Sequence, residues 1–426
     1  MDVGSVIFYL FAIVSTLYVV HFGVYLTGAN IYDMWQLRRK RHTPLRKYRP
    51  LVSVLVPAHN EGMVIVRCLD SIWNSTYQNI QVVVCNDAST DATRALVRAY
   101  QRQHPDRDIV MVRKQTNVGK GMVLNHGLKL RAKGELVMTL DADSMLMPQA
   151  IENAVAYFED TSVAGVAANV RIIHEPTVLG VLQRLEHMIS YRSKKVYSLL
   201  NCEFVIGGVA STYRMDLLRK VGFYDAGTMT EDIGLSMKIV NRGNRRHRLM
   251  YGADVAALTE GVETFGALLK QRYRWKYGSL QNLSKYRHLV HSTKRHYTTS
   301  LTWYRLPMAV WGEIALLASP ILWGYVIYLT LSAHDPRLIV GAYLTITVYT
   351  LITLWFDEHI SFFERVRLSL YAPLAYVIFY VMDFVQFISI ARCVPRLRQL
   401  LRGHDVGSTW VSPQRIGRKV EVAEAK

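Results

Sequence analysis

The sequence reads as an α/β protein: a mostly parallel sheet with helices on both faces, joined to transmembrane and interfacial α-helices. Three observations carry this reading. Between residues 50 and 290, short β-branched runs alternate with helical patterns, as in parallel strands joined by crossover helices. Polar and acidic residues gather at the ends of those runs, where open α/β sheets bind ligands. Apolar stretches flank the block on both sides, and basic clusters follow the first and the last of them.

The elements follow in order. From Val6 to Leu26 the chain is apolar, with His21 its one basic side chain. That suffices for a bilayer crossing of about 20 residues. A cleaved signal peptide would start with basic residues. Here Asp2 precedes the stretch and seven Lys/Arg follow it between Arg38 and Arg49, so an uncleaved anchor is expected over residues 1–32. Leu51 to Pro57, Ile80 to Cys85, Ile109 to Val112 and Glu135 to Leu140 have the composition of buried strands. Residues 61–74, 90–104 and 119–132 are helical in pattern. Together they form a block at 50–290.

After residue 300 come three apolar stretches, 306–332, 338–356 and 368–391, parted by Asp335-Pro336-Arg337 and by Asp357 to Arg367. Seven more Lys/Arg lie between Arg392 and Lys419. Three crossings would place that tail opposite the block, against the positive-inside tendency. One stretch is therefore expected to lie in the interface or to form a re-entrant hairpin. The candidate is 306–332, which holds Pro307, Glu313 and Pro320. Residues 300–392 are read as transmembrane and interfacial helices, and 393–426 as a basic tail.

Composition agrees with a chain divided between water and lipid: 50% hydrophobic, 20% charged, net charge +18 over 426 residues. Basic clusters beside apolar stretches mark the cytoplasmic side and anionic lipid, so the charge is not read as nucleic-acid binding. Cys68, Cys85, Cys202 and Cys393 form no C-x-x-C pair. They suggest neither zinc nor a disulfide framework, but small buried residues in a reducing compartment.

The chemistry is carried by strings at strand ends and on one late helix. After the first run stand Asn60 and Glu61; Asn60 reads equally as a cap for the helix that follows. After the second stand Asn86 and Asp87, with Ser89 or Asp91 as a helix cap and Asp87 left to accept a hydrogen bond from a base edge. Gly119 and Lys120 precede a helix, where backbone and charge can approach a phosphate, without the spacing of an ATP-hydrolysing loop. A plain turn with an exposed lysine is the alternative. Asp141-Ala142-Asp143 places two carboxylates about one small residue at a strand end. Hard oxygens of this kind suit Mg²⁺ or Mn²⁺ shared with substrate phosphates.

Thr230-Glu231-Asp232 can supply a catalytic carboxylate, with Asp232 taking the proton of an acceptor hydroxyl. The alternative is an ordinary helix start capped by Thr230. Gln271, Arg274 and Trp275 fall at i, i+3 and i+4 of a helix expected from 263 to about 287, hence on one face. An Arg fork suits a diphosphate and an indole can floor a sugar ring. A buried Trp beside a snorkelling Arg is the competing reading. Metal, base and diphosphate grip, in that order, suggest sugar transfer from a nucleotide diphosphate.

On these motifs the chain resembles the processive family 2 glycosyltransferases, from about residue 50 to 285 and into the flanking membrane helices. The resemblance implies a GT-A-like fold and an inverting single displacement at the anomeric carbon. It implies uracil and ribose contacts at Asn60, Glu61 and Asp87, with Gly119, Lys120 and Asp141 also on the donor. Asp143 would hold the metal, Asp232 would be the base beside Glu231, and Gln271, Arg274 and Trp275 would hold diphosphate and acceptor. Gly207 and Gly208 would line the acceptor path, where close backbone approach is useful. Within that family the chain looks most like bacterial poly-β-1,6-N-acetylglucosamine synthases, related to hyaluronan, chitin and cellulose synthases. The tail Thr409-Trp410-Val411-Ser412-Pro413 with Arg415 adds to that likeness and is expected to gate the donor site. Asn86 stands where an acid is usual and His59 where a tyrosine or proline-like neighbour is frequent; both leave the base and the sugar open.

The expected activity is polymerisation of a β-linked exopolysaccharide from a UDP-sugar, UDP-N-acetylglucosamine favoured, coupled to export through the cell membrane. The expected partners are the growing chain, the bilayer and a small membrane subunit. Asp383, inside the last apolar stretch, is costly in lipid and is expected to face the export channel, or else to pair with Arg392. A hyaluronan, chitin or glucan synthase, a non-processive lipid glycosyltransferase and a polyanion-binding membrane adaptor are the alternatives. The adaptor leaves both carboxylate motifs unexplained, and product size separates the enzymes.

Overall fold

The computed structural model describes residues 3–42, 48–173, 177–334, 336–357 and 360–401. The expected gating segment at 409–415 lies outside the described residues. A 40-residue helix, α1 (Val3–His42), opens the chain. It runs beyond the anchor expected to end at residue 32, and there it meets the sheet. Tyr32 is fully buried and its hydroxyl donates to the Tyr251 carbonyl.

The first half of the sheet follows the alternation in the sequence. The order is β1 (Val52–Ala58), α2 (Ile65–Trp73), β2 (Ile80–Asp87), α3 (Thr93–Gln103), β3 (Ile109–Lys114), α4 (Lys120–Leu130) and β4 (Leu136–Thr139). β1 pairs in parallel with β2 and β4, and β2 pairs in parallel with β3. Successive side chains on a strand point to opposite faces. Val52, Val54 and Val56 therefore pack with Ile65 and Leu69 of α2 and Val97 of α3. Leu55, Val83 and Cys85 pack on the other face with Val123 and Leu128 of α4. All four cysteines are buried and free.

The second half is mixed. It comprises β5 (Ser144–Leu146), α5 (Ala150–Tyr157), β6 (Val163–Ile172), α6 (Val178–Leu199), β7 (Ser211–Arg214), α7 (Met215–Val221), α8 (Glu231–Asn241), β8 (Arg248–Thr259) and α9 (Phe265–Lys285). The strand order is β3-β2-β1-β4-β7-β6-β8-β5. β7 runs antiparallel to both β4 and β6, and β5 runs antiparallel to β8. β5 is three residues long, and its antiparallel pairing places the residues after β4 beside the end of β8.

Beyond the sheet lie α10 (Leu306–Ala333), α11 (Arg337–Trp355), α12 (Phe362–Ser369), α13 (Ala375–Ala391) and α14 (Leu397–Leu401). Three segments are long and apolar enough to cross a membrane, Phe11–Arg38, Ser300–Ser332 and Ala372–Leu400, with Ile339–Trp355 a shorter apolar helix. The stretch expected to lie in the interface or to form a re-entrant hairpin is one unbroken helix of 28 residues that carries Pro320 inside it, so no hairpin forms there. Of the helices that follow the sheet domain, α13 packs on it most extensively, and Leu354 of α11 reaches α6 as well. Ile378 packs on the cluster of Leu185, Leu354 and Leu368. Met382 and Val385 pack with Leu182 of α6 and Leu268 of α9. Just after α13, Cys393 joins Tyr277 of α9 and Leu400 of α14. The charged stretch before α13 is pinned to the same domain by Arg171 and Asp357, 2.6 Å apart, and by Arg184 and Glu364.

Candidate active site

The site forms at the carboxyl ends of β1, β2 and β4, where α4, α8 and α9 approach. The first two strand tips lock to each other. Asn60, at φ 57°, accepts from the Thr90 amide at 2.8 Å, and Asp91 accepts from the Thr93 amide at 3.0 Å at the start of α3. Asn60 thus caps the neighbouring tip, not the helix that follows it. Glu61 is buried, and its amide donates to Thr93 Oγ1 at 2.8 Å.

Asp87 departs from expectation. Its carboxylate is fully buried. Its two oxygens accept from the Val118 and Gly119 amides, each at 2.9 Å. A buried carboxylate needs such partners, so Asp87 shapes the loop before α4 and is not free for a base edge. Gly119 sits at φ 88°, a region open to glycine at little cost, and this lets the chain turn onto the carboxylate. His59, missed as a site residue, bridges the tips: its Nδ1 lies 2.6 Å from the Asp87 carbonyl and its Nε2 3.4 Å from Asn117.

Lys120 is not the exposed lysine of a plain turn. Its ammonium lies 2.5 Å from Asp141 and 3.6 Å from Glu231. Burial disfavours that charge, but Asp141 and Glu231, with Asp232 further off, outweigh it and hold the ammonium above its usual pKa. Gly208 closes the cluster: a β-carbon there would stand 2.9 Å from Lys120 Nζ and 3.8 Å from Asp232 Oδ2. Its carbonyl accepts from Thr139 Oγ1 of β4 at 2.8 Å. Gly207 is exposed beside it. The structure therefore gathers Lys120, Asp141, Gly208, Glu231 and Asp232 from four separate segments.

Asp232 is the perturbed carboxyl of this group. Burial first, and Glu231 second, raise it to about 6, while Lys120, the Ile233 amide and Arg274 pull the other way. A carboxylate poised there is suited to general-base work near neutrality. Thr230 makes no side-chain cap to α8. Its hydroxyl accepts from Asn282 of α9 at 3.2 Å, and Gly278 permits that approach, since a β-carbon there would lie 2.3 Å from Thr230 Oγ1.

On α9, Arg274 is exposed, and Gln271 and Trp275 are half-buried. The charge of Arg274 reaches Asp232, which brings the third motif to the second. Sequence reading missed Arg272, the buried arginine of the string. It pairs with Glu186 at 2.5 Å and lies 4.2 Å above the Trp275 ring. Asp383 has Lys276 and Glu186 as charged neighbours, and Arg392, the partner of the alternative reading, is exposed.

Asp143 is nearly buried, and its Oδ1 accepts from Ser144 Oγ at 2.9 Å. No group of three His, Cys, Asp or Glu arranged to hold a metal ion is present among the described residues. The donor set, one or two carboxylates at a strand end, fits a divalent cation that takes its remaining ligands from a diphosphate and water. It does not fit an all-protein cage.

The family profile described as glycosyltransferase like family 2 matches residues 49–278. The chain belongs to that family and is a glycosyltransferase. Poly-beta-1,6-N-acetyl-D-glucosamine synthase of Staphylococcus aureus (strain COL) is 29% identical over 268 residues, 62% of this chain and 63% of the relative. The synthase of the same name from Staphylococcus epidermidis is 30% identical over 229 residues, 53% of this chain and 54% of the relative. The chain thus matches less than two thirds of each relative's length. Among solved structures, the mannosyltransferase of Pyrobaculum calidifontis in complex with GDP-mannose and Mn²⁺ aligns with a TM-score of 0.54 at 22% identity. The alignment covers 90% of this chain and 98% of that one, a likeness of fold that agrees with the GT-A-like expectation.

Proposed function

We propose that this glycosyltransferase is an inverting membrane polymerase that builds a β-linked polysaccharide, poly-N-acetylglucosamine, from UDP-N-acetylglucosamine and passes it out through its membrane helices. The observation that carries the reading is the convergence of Asp141, Lys120, Glu231, Asp232 and Arg274 at the strand ends. Asp232 takes the proton of the acceptor hydroxyl. The freed oxygen attacks the anomeric carbon, the bond to the diphosphate breaks and the configuration inverts. Arg274 and Lys120 offset the charge that grows on the leaving UDP. A Mg²⁺ or Mn²⁺ ion held by Asp143 with the donor's phosphates would add further neutralisation there. Gln271 and Trp275 support the acceptor end, and Asn60, Glu61 and the loop set by Asp87 hold the nucleoside. The names of the staphylococcal relatives support the choice of sugar.

In this reading α1, α10 and α11 cross the cell membrane, and α12 and α13 lie at its cytoplasmic surface with the catalytic domain. Support comes from the packing of α13 and Cys393 on α6 and α9 and from the two basic clusters. Two crossings after the domain return the tail to the side of the domain, which removes the conflict that three crossings create. α11 has 19 residues, about 28 Å of helix, close to one hydrocarbon thickness.

The test supplies purified protein in lipid with Mg²⁺ and a panel of UDP-sugars. The expected product is a polymer made from UDP-N-acetylglucosamine and cut by a β-1,6-N-acetylglucosaminidase. A single-sugar lipid would replace the polymerase reading with a non-processive one. Failure to bind or turn over any UDP-sugar would remove both.

A further inference from the structure

We propose that Arg272 is a positioning residue that holds the indole of Trp275, with Glu186 as its anchor, and so sets where the end of the sugar chain rests. This rests on the reading of Trp275 as the acceptor platform.

Arg272 is only 4% exposed. A buried guanidinium is tolerated where a carboxylate and hydrogen bonds compensate it, and Glu186 Oε2 lies 2.5 Å away. That carboxylate belongs to α6, so the pair ties the motif helix α9 to the helix beneath it. The guanidinium carbon stands 4.2 Å from the centroid of the Trp275 ring. Residues at i and i+3 are neighbours on a helix, and a planar guanidinium stacks on an indole as an ammonium does not. The indole itself is only partly buried, so part of it is left for a ligand.

The same turn of α9 is tethered elsewhere as well. Lys276 meets Glu313 of α10 at 2.9 Å, and the Tyr273 hydroxyl accepts from Arg396 at 2.9 Å. The platform is thus fixed to elements that continue towards the membrane. An indole free to change rotamer would offer the chain end several resting places. A stacked one offers a single place, and each round of transfer then starts from the same register.

The experiment uses the full chain in lipid nanodiscs, with UDP-N-acetylglucosamine and a short β-1,6-linked N-acetylglucosamine oligosaccharide as acceptor. Arg272→Lys keeps the ion pair and loses the planar stack. We expect the acceptor KM to rise roughly tenfold and polymers to shorten. Donor KM and kcat should stay within about twofold. In a Trp275→Ala background, Arg272→Lys should add nothing, because its effect runs through the indole. Glu186→Gln should shift the acceptor KM in the same direction. It serves as the second variant if Arg272→Lys does not fold.

An unchanged acceptor KM in both variants overturns the proposal. So does an Arg272→Lys penalty that persists in full without Trp275. If Trp275→Ala alone leaves the acceptor KM unchanged, the platform reading fails first and takes the proposal with it. If Trp275→Ala raises it and the other two variants do not, only the role of Arg272 falls.

Discussion

In the proposed mechanism Asp232 concentrates the chemistry of the site in one carboxyl group. As a base it works ionised, so its elevated pKa sets an acid limb: kcat/KM should rise with pH to about 6 and level off above it. The neighbours give the sign of each variant. Removing the negative charge in Glu231→Gln should move the limb to lower pH, and removing the positive charge in Lys120→Met should move it higher. A limb that stays put in both variants would mean that another group titrates. Asp232→Asn should lower kcat by roughly 100- to 10,000-fold while UDP binding, followed by calorimetry, persists. Much of this grouping is legible in the sequence: spacing and residue type mark Glu231, Asp232, Asp141 and Lys120 as candidates. The use of Asp87 was not legible. Its partners Val118 and Gly119 come from beyond β3, and no local pattern says that a buried carboxylate will be satisfied by those amides. Arg272 was hidden for a similar reason, since its partner Glu186 lies on another helix.

Two connections decide how the elements position those residues. The loop before α4 hangs on Asp87. Asp87→Ala would strand the Val118 amide and leave the Gly119 amide only its bond to Asn117 Oδ1, at a cost of about 1–3 kcal/mol. A lower melting temperature together with a higher donor KM is expected. Equal values for wild type and variant would show that the loop keeps its shape unaided. The contact of α8 with α9 depends on Gly278 beside Thr230. Gly278→Ala should force the helices apart, and because the barrier is one of packing, turnover should fall more than nucleotide binding. The strands β1 to β4 were readable because buried parallel strands carry continuous apolar runs. The antiparallel β7, and the three-residue β5 against β8, were not, because short strands are specified mainly by the neighbours they meet.

Taken whole, the molecule is a sheet domain with apolar helices beside it, α13 packed on α6 and α9. The proposed arrangement places the turn between α10 and α11 on one side of the membrane and the end of α13 on the other. Cysteine labelling in intact cells tests it, and the background should be low because the four native cysteines are buried. His334→Cys should react with an impermeant maleimide from outside. Gln399→Cys should react only after the cells are opened. Labelling of both from outside would restore α13 as a crossing.

Composition, periodicity and motif spacing were enough to specify β1 to β4, the helices between them, the apolar stretches and most of the candidate site residues. Each of these depends on residues close in the chain, through side-chain period or motif spacing. The order of the later strands, the occupied state of Asp87 and Lys120, the stacking of Arg272 on Trp275 and the docking of α13 came from the folded chain alone. They depend on which distant groups meet, and on the need of every buried charge and apolar face for a partner.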